Sequence, residues 1–211
     1  LKTFLKKYSK VKLYIEELTT DEMMRKLTDG YLDAGIAATP LENEAIVEKP
    51  LYYEPFIGFV SEDHRLFQKD HISEEDLDLS DILLLEDGHC FKNNVINLCQ
   101  SINTTDDSQF HLESGSIGTL IRLSKEGLGM TLIPYLNSLD LSEEDKKYLR
   151  PFASTIPARE VSLIYHKSQL KMQMLDALKT TIDSVIRGAI AFHGVKIISP
   201  LNKKPVSALG N

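Results

Sequence analysis

The sequence predicts an α/β fold, and three observations support this prediction. Strand-like apolar runs alternate along the chain with amphipathic, helix-like stretches. Acidic residues follow serine or threonine at several predicted helix starts, as the helix dipole favours. The chain has 211 residues, of which 42% are hydrophobic, so it is long enough for one large domain or two small lobes with a sizeable core. The alternation of elements favours largely parallel sheets.

The first forty residues predict two helices and two strands in alternation. Apolar residues recur at helical spacing over 1–8, and an apolar and polar alternation over 11–15 then predicts a half-buried strand. Thr19 stands three residues before Glu22 in a capping box, which predicts a helix that ends near Gly30. Residues 33–38 are predicted to form a short buried strand.

The remainder of the chain continues this alternation. Ser73 and Ser142 each precede acidic residues and predict two further helix starts. Two stretches in which a strand pattern passes through a proline, 52–56 and 156–160, predict crossovers between lobes. After Gly188 the pattern stops, and residues 202–211 are expected to form a flexible tail. Strands are predicted at 47–53, 56–61, 82–86, 110–113, 129–133 and 160–165, and helices at 91–101, 116–126 and about 168–187.

Charge and apolar run length exclude two classes of function for this chain. The net charge of -7 makes the chain repel a phosphate backbone overall, so a DNA-contacting surface is not expected within it. The longest apolar runs have the length of a strand, far short of the roughly 20 residues that a membrane span needs. The chain begins without methionine or a signal sequence, and we interpret it as a cytoplasmic fragment.

The most informative window surrounds the first of two cysteines. A buried strand is predicted to end at Glu86, a turn follows, and Cys90 lies at or beside the start of a helix. Free backbone N–H groups and the positive dipole end at a helix N-terminus favour the thiolate, the reactive form of cysteine, and His89 adds a positive charge or a hydrogen bond. The alternative is that Cys90 and Cys99 are both buried small hydrophobes.

The spacing of the two cysteines has a geometric consequence. In one continuous α-helix, nine residues at ~1.5 Å each separate the Cα atoms of Cys90 and Cys99 by ~13.5 Å and place the side chains on opposite faces. A disulfide needs Cα atoms about 4.4 to 6.8 Å apart. Forming this disulfide therefore requires the intervening helix to unwind, so oxidation and conformational change would be one event.

These residues carry a family resemblance. The stretch Glu86, Asp87, Gly88, His89 and Cys90, with a second cysteine nine positions on, resembles the redox loop of the peroxide-sensing OxyR branch of LysR-type transcription regulators. Residues 128–134 resemble the late glycine-containing strand of that family, which ends in proline. Similarity at 31–38 and 50–56 extends the resemblance over roughly residues 1–187.

The resemblance implies a fold and a division into lobes. It implies two α/β lobes of periplasmic-binding-protein type joined by two crossover strands. Lobe I is expected to comprise residues 1–56 with 164–190, and lobe II residues 57–163. Residues 191–211 form the expected tail, and the helix-turn-helix of the family is absent from this chain.

The resemblance also assigns site residues. Cys90 matches the cysteine that attacks peroxide and Cys99 the resolving cysteine, while His89 matches the histidine beside the reactive sulfur. Thr20 matches a threonine that lines the peroxide pocket, and the alternative for it is a helix-start residue only. Arg159 matches an arginine that faces the pocket across the lobes, and the alternative is a charge at a strand edge. No cofactor is implied, and the six histidines show no spacing typical of a metal site.

The function implied is that of a stoichiometric redox sensor, the regulatory domain of a transcription regulator that responds to hydrogen peroxide. The chain is expected to form a homodimer or a homotetramer, and the full-length protein is expected to bind DNA and RNA polymerase. A dithiol reductant such as glutaredoxin or thioredoxin is expected to reduce it again. No membrane partner is expected. Two alternatives remain: an effector domain that binds a small organic ligand between the lobes, and a thiol peroxidase.

Overall fold

A computed structural model describes residues 2–86, 90–99, 113–153, 155–188, 190 and 195–201, with the backbone alone at positions 90, 113 and 114. The α-helices are α1 (Lys2–Lys7), α2 (Thr20–Thr28), α3 (Cys90–Cys99), α4 (Ile117–Lys125), α5 (Tyr135–Leu139) and α6 (Met172–Ile186). The strands are β1 (Gly35–Thr39), β2 (Ile46–Phe59), β3 (Leu84–Leu85), β4 (Glu113–Ser114), β5 (Thr131–Pro134), β6 (Leu149–Pro151), β7 (Pro157–His166) and β8 (Lys196–Ile197). No helix in these ranges is long and apolar enough to cross a membrane.

Two long strands, β2 and β7, connect the two halves of the molecule. They run antiparallel to each other, in a register that extends from Ile46 opposite His166 to Pro55 opposite Ala158. Strand β1 pairs with β7 on one side, and the last residues of β2 pair instead with β5 and β6. The predicted α/β fold with two lobes and two crossover strands is therefore confirmed.

The expectation of largely parallel sheets is wrong for the central strands. Strands β1, β2, β5, β6 and β7 pair in antiparallel fashion, whereas β3 with β4 and β7 with β8 are parallel. The reason is that the two crossover strands pass between the lobes in opposite directions and lie side by side. A simple alternation of strand and helix does not contain this information.

Three clusters of buried apolar side chains form the core. The largest is built from residues between Phe56 and Phe152, together with Ile198. The other two combine side chains from 23–51 with side chains from 163–178. The predicted lobe boundaries, 56/57 and 163/164, stay predictions, and this distribution of the clusters supports them to within about one residue, since Phe56 packs in the largest cluster and Leu163 in the third.

The predicted strand at 11–15 is wrong. These residues form no strand, and the side chains of Tyr14 and Ile15 are 85% and 66% exposed. A strand is stabilised by hydrogen bonds to a neighbouring strand, and within the described ranges no strand pairs with this segment. Alternating hydrophobicity is therefore insufficient here.

Other predicted elements differ in extent. The strands predicted at 47–53 and 56–61 form the single strand β2, which contains Pro50 and Pro55 and has a register shift between Pro50 and Tyr52. The helix starts predicted at Ser73 and Ser142 give only short 3-10 helices, Glu74–Asp76 and Asp145–Tyr148. Three elements, α5, β6 and β8, are short and were not predicted.

Residues 195–201, which belong to the segment assigned to the tail, pack on the protein. Strand β8 pairs with the start of β7, and Ile198 is buried in the largest cluster. The sequence pattern did not reveal β8, because this strand has only two residues and forms by pairing with β7. The expected flexible tail at 202–211 lies outside the described residues.

Candidate functional site

The predicted redox helix is present as α3, which begins at Cys90 and ends at Cys99. Its first amides have no partner within the helix, so Cys90 occupies the position at which backbone N–H groups and the helix dipole stabilise an anion. The prediction that Cys90 lies at a helix start is confirmed. The Cys90 side chain and all of His89 lie outside the described residues.

Cys99, at the opposite end of α3, has a contrasting environment. It is a free cysteine with no exposed surface and belongs to the largest apolar cluster. Burial, together with the carboxylates of Asp81, Asp78 and Glu74, raises the pKa of the Cys99 thiol to about 12. Cys99 is therefore a protonated thiol near neutral pH and a poor first nucleophile.

The helix keeps the two cysteines apart. Cys90 and Cys99 are the first and last residues of one ten-residue α-helix, so their Cα atoms are ~13.5 Å apart. This is about twice the largest separation that a disulfide bridges. The described helix is thus a conformation in which the two sulfur atoms cannot bond.

Core side chains anchor α3 in this conformation. Phe91, Val95 and Leu98 are each buried and belong to the largest cluster. The ring of Phe91 meets the ring of Phe56, at the crossover in β2, edge to face with centroids 5.4 Å apart. Unwinding α3 therefore requires three apolar side chains to leave their contacts.

Arg159 lies in the crossover strand β7 and forms an ion pair with the buried carboxylate of Glu54. Its Nε and one terminal nitrogen donate to Oε2 of Glu54, at 3.0 and 2.8 Å. The two residues are directly opposite in the β2–β7 register, and the Glu54 side chain is only 2% exposed. On the other side of β7 the pairing with β1 ends at Glu160 and the pairing with β8 ends at Ala158, so Arg159 lies between these two pairings. The pocket role of Arg159 and its alternative, a charge at a strand edge, both stay predictions.

Arg159 also reaches the start of the redox helix. The guanidinium carbon lies 5.1 Å from the centroid of the Phe91 ring, the residue directly after Cys90. Residues of α3 also approach residues of β1 to within 8 Å between Cα atoms. The structure therefore brings the crossover strand β7 against the first turn of α3 and places α3 close to strand β1.

Thr20 is the first residue of α2, and the preceding residue is the N-cap. The Thr19 hydroxyl accepts a hydrogen bond from the amide of Glu22, at 3.4 Å, which is one of the two hydrogen bonds of the predicted capping box. Thr20 is thus not needed as the cap, and its side chain is half-buried. The role of Thr20 in a peroxide pocket stays a prediction.

Sequence reasoning missed three residues around the site. Glu54 holds Arg159 and also accepts a hydrogen bond from the Leu136 amide at 3.1 Å. Asn94 and Asn97 are buried on α3 between the two cysteines. Glu54 and Asn97 are polar residues among mostly apolar neighbours, and that irregularity was the available signal, whereas Asn94 follows Lys92 and Asn93 and shows no such signal.

The fold and the site agree with the class of protein that a family model identifies. A model described as LysR substrate binding domain matches residues 1–186, and the chain belongs to this family. The similarity to OxyR regulators predicted from the redox loop is also confirmed.

Individual relatives place the chain more closely. It is 29% identical over 181 residues to a hydrogen peroxide-inducible genes activator of Pectobacterium carotovorum subsp. carotovorum, covering 86% of this chain and 59% of that protein. It is 29% identical over 180 residues to the DNA-binding transcriptional dual regulator OxyR of Escherichia coli strain K12, covering 83% and 58%. The crystal structure of OxyR from Porphyromonas gingivalis superposes with a TM-score of 0.83 at 27% identity, covering 93% of this chain and 90% of that one. The chain spans about three fifths of the length of the curated relatives.

Proposed function

We propose that this chain is the redox-sensing regulatory domain of a DNA-binding transcription regulator that responds to hydrogen peroxide. The observation that carries the proposal is the asymmetry of α3, which has one cysteine at its N-terminus and a second, buried and protonated, at its C-terminus. The similarity to regulators named for hydrogen peroxide supports the same conclusion.

The chemistry begins at Cys90. Its thiolate attacks one oxygen of hydrogen peroxide, the O–O bond breaks, and hydroxide leaves, so that the sulfur becomes a sulfenic acid. The thiol of Cys99 then displaces the sulfenic oxygen, which leaves as water, and an intramolecular disulfide forms. Two electrons pass from the two sulfurs to one peroxide molecule, and peroxide becomes two molecules of water once the protons are counted.

The other predicted residues assist the first step. Arg159, placed over Phe91, supplies positive charge close to the start of α3 and stabilises the thiolate. His89 adds a hydrogen bond or charge, and the Thr20 hydroxyl orients peroxide and assists the departing oxygen. Glu54 accepts two hydrogen bonds from the Arg159 guanidinium and partly neutralises its charge, so it moderates the effect of Arg159 on the thiolate.

The switch resets by thiol exchange. A dithiol reductant of the glutaredoxin or thioredoxin type attacks the disulfide, and its own two thiols are oxidised as Cys90 and Cys99 are reduced. Such reductants maintain thiols in the cytoplasm, where we propose that the protein acts. Unwinding of α3 would change the packing of a homodimer or homotetramer and thereby the contacts of the full-length protein with DNA and RNA polymerase.

The test is oxidation of the reduced chain with one equivalent of hydrogen peroxide, followed by thiol blocking and peptide mass spectrometry. We expect a Cys90–Cys99 disulfide in the parent chain, no reaction in Cys90→Ser, and a sulfenic acid that a dimedone-type probe traps in Cys99→Ser. Free thiols after peroxide would refute the sensor and favour a domain that binds an organic ligand. Sustained peroxide consumption with a dithiol would instead identify a thiol peroxidase.

A further inference from the structure

Residues 195–201, here named the C-terminal strap, pack across the second lobe. The amides of Lys196 and Ile198 donate to the carbonyls of Ile156 and Ala158, both at 2.8 Å. The Ile198 side chain is 6% exposed and belongs to the largest core cluster. At the same place the Lys196 ammonium pairs with the Glu74 carboxylate at 2.6 Å. The strap is therefore held by backbone, apolar and ionic contacts.

The strap also contacts the redox helix directly. The side-chain amide of Asn94 donates to the carbonyl of Ile198 at 2.7 Å, and that of Asn97 donates to the carbonyls of Ser199 and Leu201 at 2.8 and 2.7 Å. Asn94 has no exposed surface and Asn97 is 5% exposed. Both residues lie between Cys90 and Cys99, three positions apart, which puts them on one face of α3.

The composition of α3 supports a role for these contacts. Asparagine is a weak helix former, and a buried amide without a partner is costly. Asn94 and Asn97 therefore weaken α3 as an isolated helix. They stabilise α3 only while their side-chain amides donate hydrogen bonds to the carbonyls of the strap. The Oδ1 atom of Asn94 has no hydrogen-bond partner among the described residues, so its position is set by the donated bond to Ile198.

We propose that the C-terminal strap is a latch that holds α3 in its helical, reduced conformation and is released when the Cys90–Cys99 disulfide closes. Closure must bring Cα atoms from ~13.5 Å to about 7 Å or less, which unwinds 91–98 and removes Asn94 and Asn97 from a common face. The three hydrogen bonds to the strap cannot all persist in that state. This inference deepens the proposed function by naming a regulator of the same site within the chain.

Linkage makes the latch act in both directions. If the docked strap favours the reduced helix, oxidation must weaken strap docking by the same factor. A strap that opens exposes the edge of β7 at 157–158 and the carbonyls of 198–201. The disulfide chemistry itself is unchanged, and the strap only sets how readily the helix opens to allow it.

The decisive experiment needs no peroxide. The chain has two cysteines, so in a Cys90→Ser background a thiol reagent labels Cys99 alone, and labelling of this buried thiol reports opening of α3. We expect Asn97→Ala in that background to accelerate native-state labelling roughly tenfold, because two hydrogen bonds to the strap are lost. Alanine is the better helix former, so the acceleration does not arise from helix propensity.

A matched substitution controls for general effects. Asn137→Ala, at an exposed position of α5, should leave the Cys99 labelling rate unchanged. Hydrogen exchange at the amides of Lys196 and Ile198 should accelerate in Asn97→Ala but not in Asn137→Ala. Unchanged labelling and unchanged exchange in Asn97→Ala would overturn the latch.

The oxidised state supplies a second arm. With the Cys90–Cys99 disulfide formed by diamide, the Lys196 and Ile198 amides should exchange faster than in the reduced chain. Equal exchange in the two states would refute release of the strap. If peroxide fails to oxidise Cys90 while Asn97→Ala still accelerates labelling, the proposed function fails and the latch stands, so the two failures are distinguishable.

Discussion

The guanidinium of Arg159 lies over the ring of Phe91, with its central carbon 5.1 Å from the ring centroid. Phe91 follows Cys90 in the chain, whereas Arg159 belongs to a crossover strand that also contacts the first lobe. The charge of Arg159 is shared with Glu54, whose carboxylate lies 2.8 Å from it. A pair of opposite charges, Arg159 and Glu54, therefore lies near the start of α3. Removing one charge or the other is expected to change the peroxide rate in opposite directions.

Removing the positive member should slow the peroxide reaction. In Arg159→Gln we expect the pH midpoint of the peroxide rate to rise by about one unit, because a cation near the thiolate is lost. Arg159→Lys keeps the charge and should retain most of the rate at pH 7. Stopped-flow rates across pH give the comparison, and identical profiles in Arg159→Gln and the parent chain would make Arg159 a structural residue only. Stability should fall by about 3 kcal/mol in Arg159→Gln, because the buried Glu54 loses its partner.

Removing the negative member should have the opposite effect on the rate. In Glu54→Gln the Arg159 charge is no longer neutralised, so we expect a lower pH midpoint and a faster peroxide step at pH 6. The amide must also replace a carboxylate that accepts from the Leu136 amide, which costs about 1 to 2 kcal/mol in stability. Rates measured at pH 6 and urea unfolding on the same protein separate the two effects. A slower reaction at pH 6 would show that Glu54 matters by fixing Arg159 and not by its charge.

The adjacent threonines of α2 provide an internal comparison. Thr19 is the N-cap, whereas Thr20 is the first helical residue, and its hydroxyl is predicted to contact peroxide. Thr19→Ala should lower the free energy of unfolding by about 1 kcal/mol and leave the peroxide rate unchanged. Thr20→Val should slow the peroxide step severalfold at nearly unchanged stability. A slow step in Thr19→Ala with a normal rate in Thr20→Val would reverse the assignment.

The buried thiol predicts a specific dependence of stability on pH. The pKa of Cys99 is raised from 9.0 to about 12 in the folded chain, so above pH 9 the unfolded chain loses this proton first. The contribution of the protonated Cys99 thiol to the free energy of unfolding is therefore fully present below pH 9. It is lost as the pH rises towards 12, at up to about 1.4 kcal/mol per pH unit. Other alkaline groups titrate too, so the informative quantity is the difference in slope between the reduced parent chain and Cys99→Ala. Parallel slopes from pH 9 to 11 would show that Cys99 is not desolvated as described.

Oxidation should affect α3 more than the crossover strands. Phe91, Val95 and Leu98 must leave the largest core cluster when the helix unwinds, whereas residues 160–164 of β7 are paired on both sides by β1 and β2. We expect amide hydrogen exchange to accelerate within 91–98 after disulfide formation and to stay slow in 160–164. Equal protection of α3 in both redox states would mean that the disulfide does not drive the conformational change.

The features that the sequence alone determined are local ones, each contained in a short segment of the chain. The cap at Thr19, the helix start at Cys90, the nine-residue spacing to Cys99 and the strand at β1 are each specified by a few consecutive residues. Helical and strand periodicity and capping preferences act over this range, which is why these predictions are confirmed. The resemblance that carries the functional hypothesis rests on the same short stretch.

What only the tertiary structure decided depends on residues far apart in the chain. Glu54 and Arg159 are 105 positions apart and Asn94 and Ile198 are 104 apart, and in both cases the packing of distant segments brings them together. The alternating pattern at 11–15 fails for the same reason, since a strand exists only beside a partner whose position the local pattern does not specify. Local patterns fix the elements, whereas sheet register and core packing select which distant polar groups meet, and these contacts position Arg159 and the strap against the redox helix.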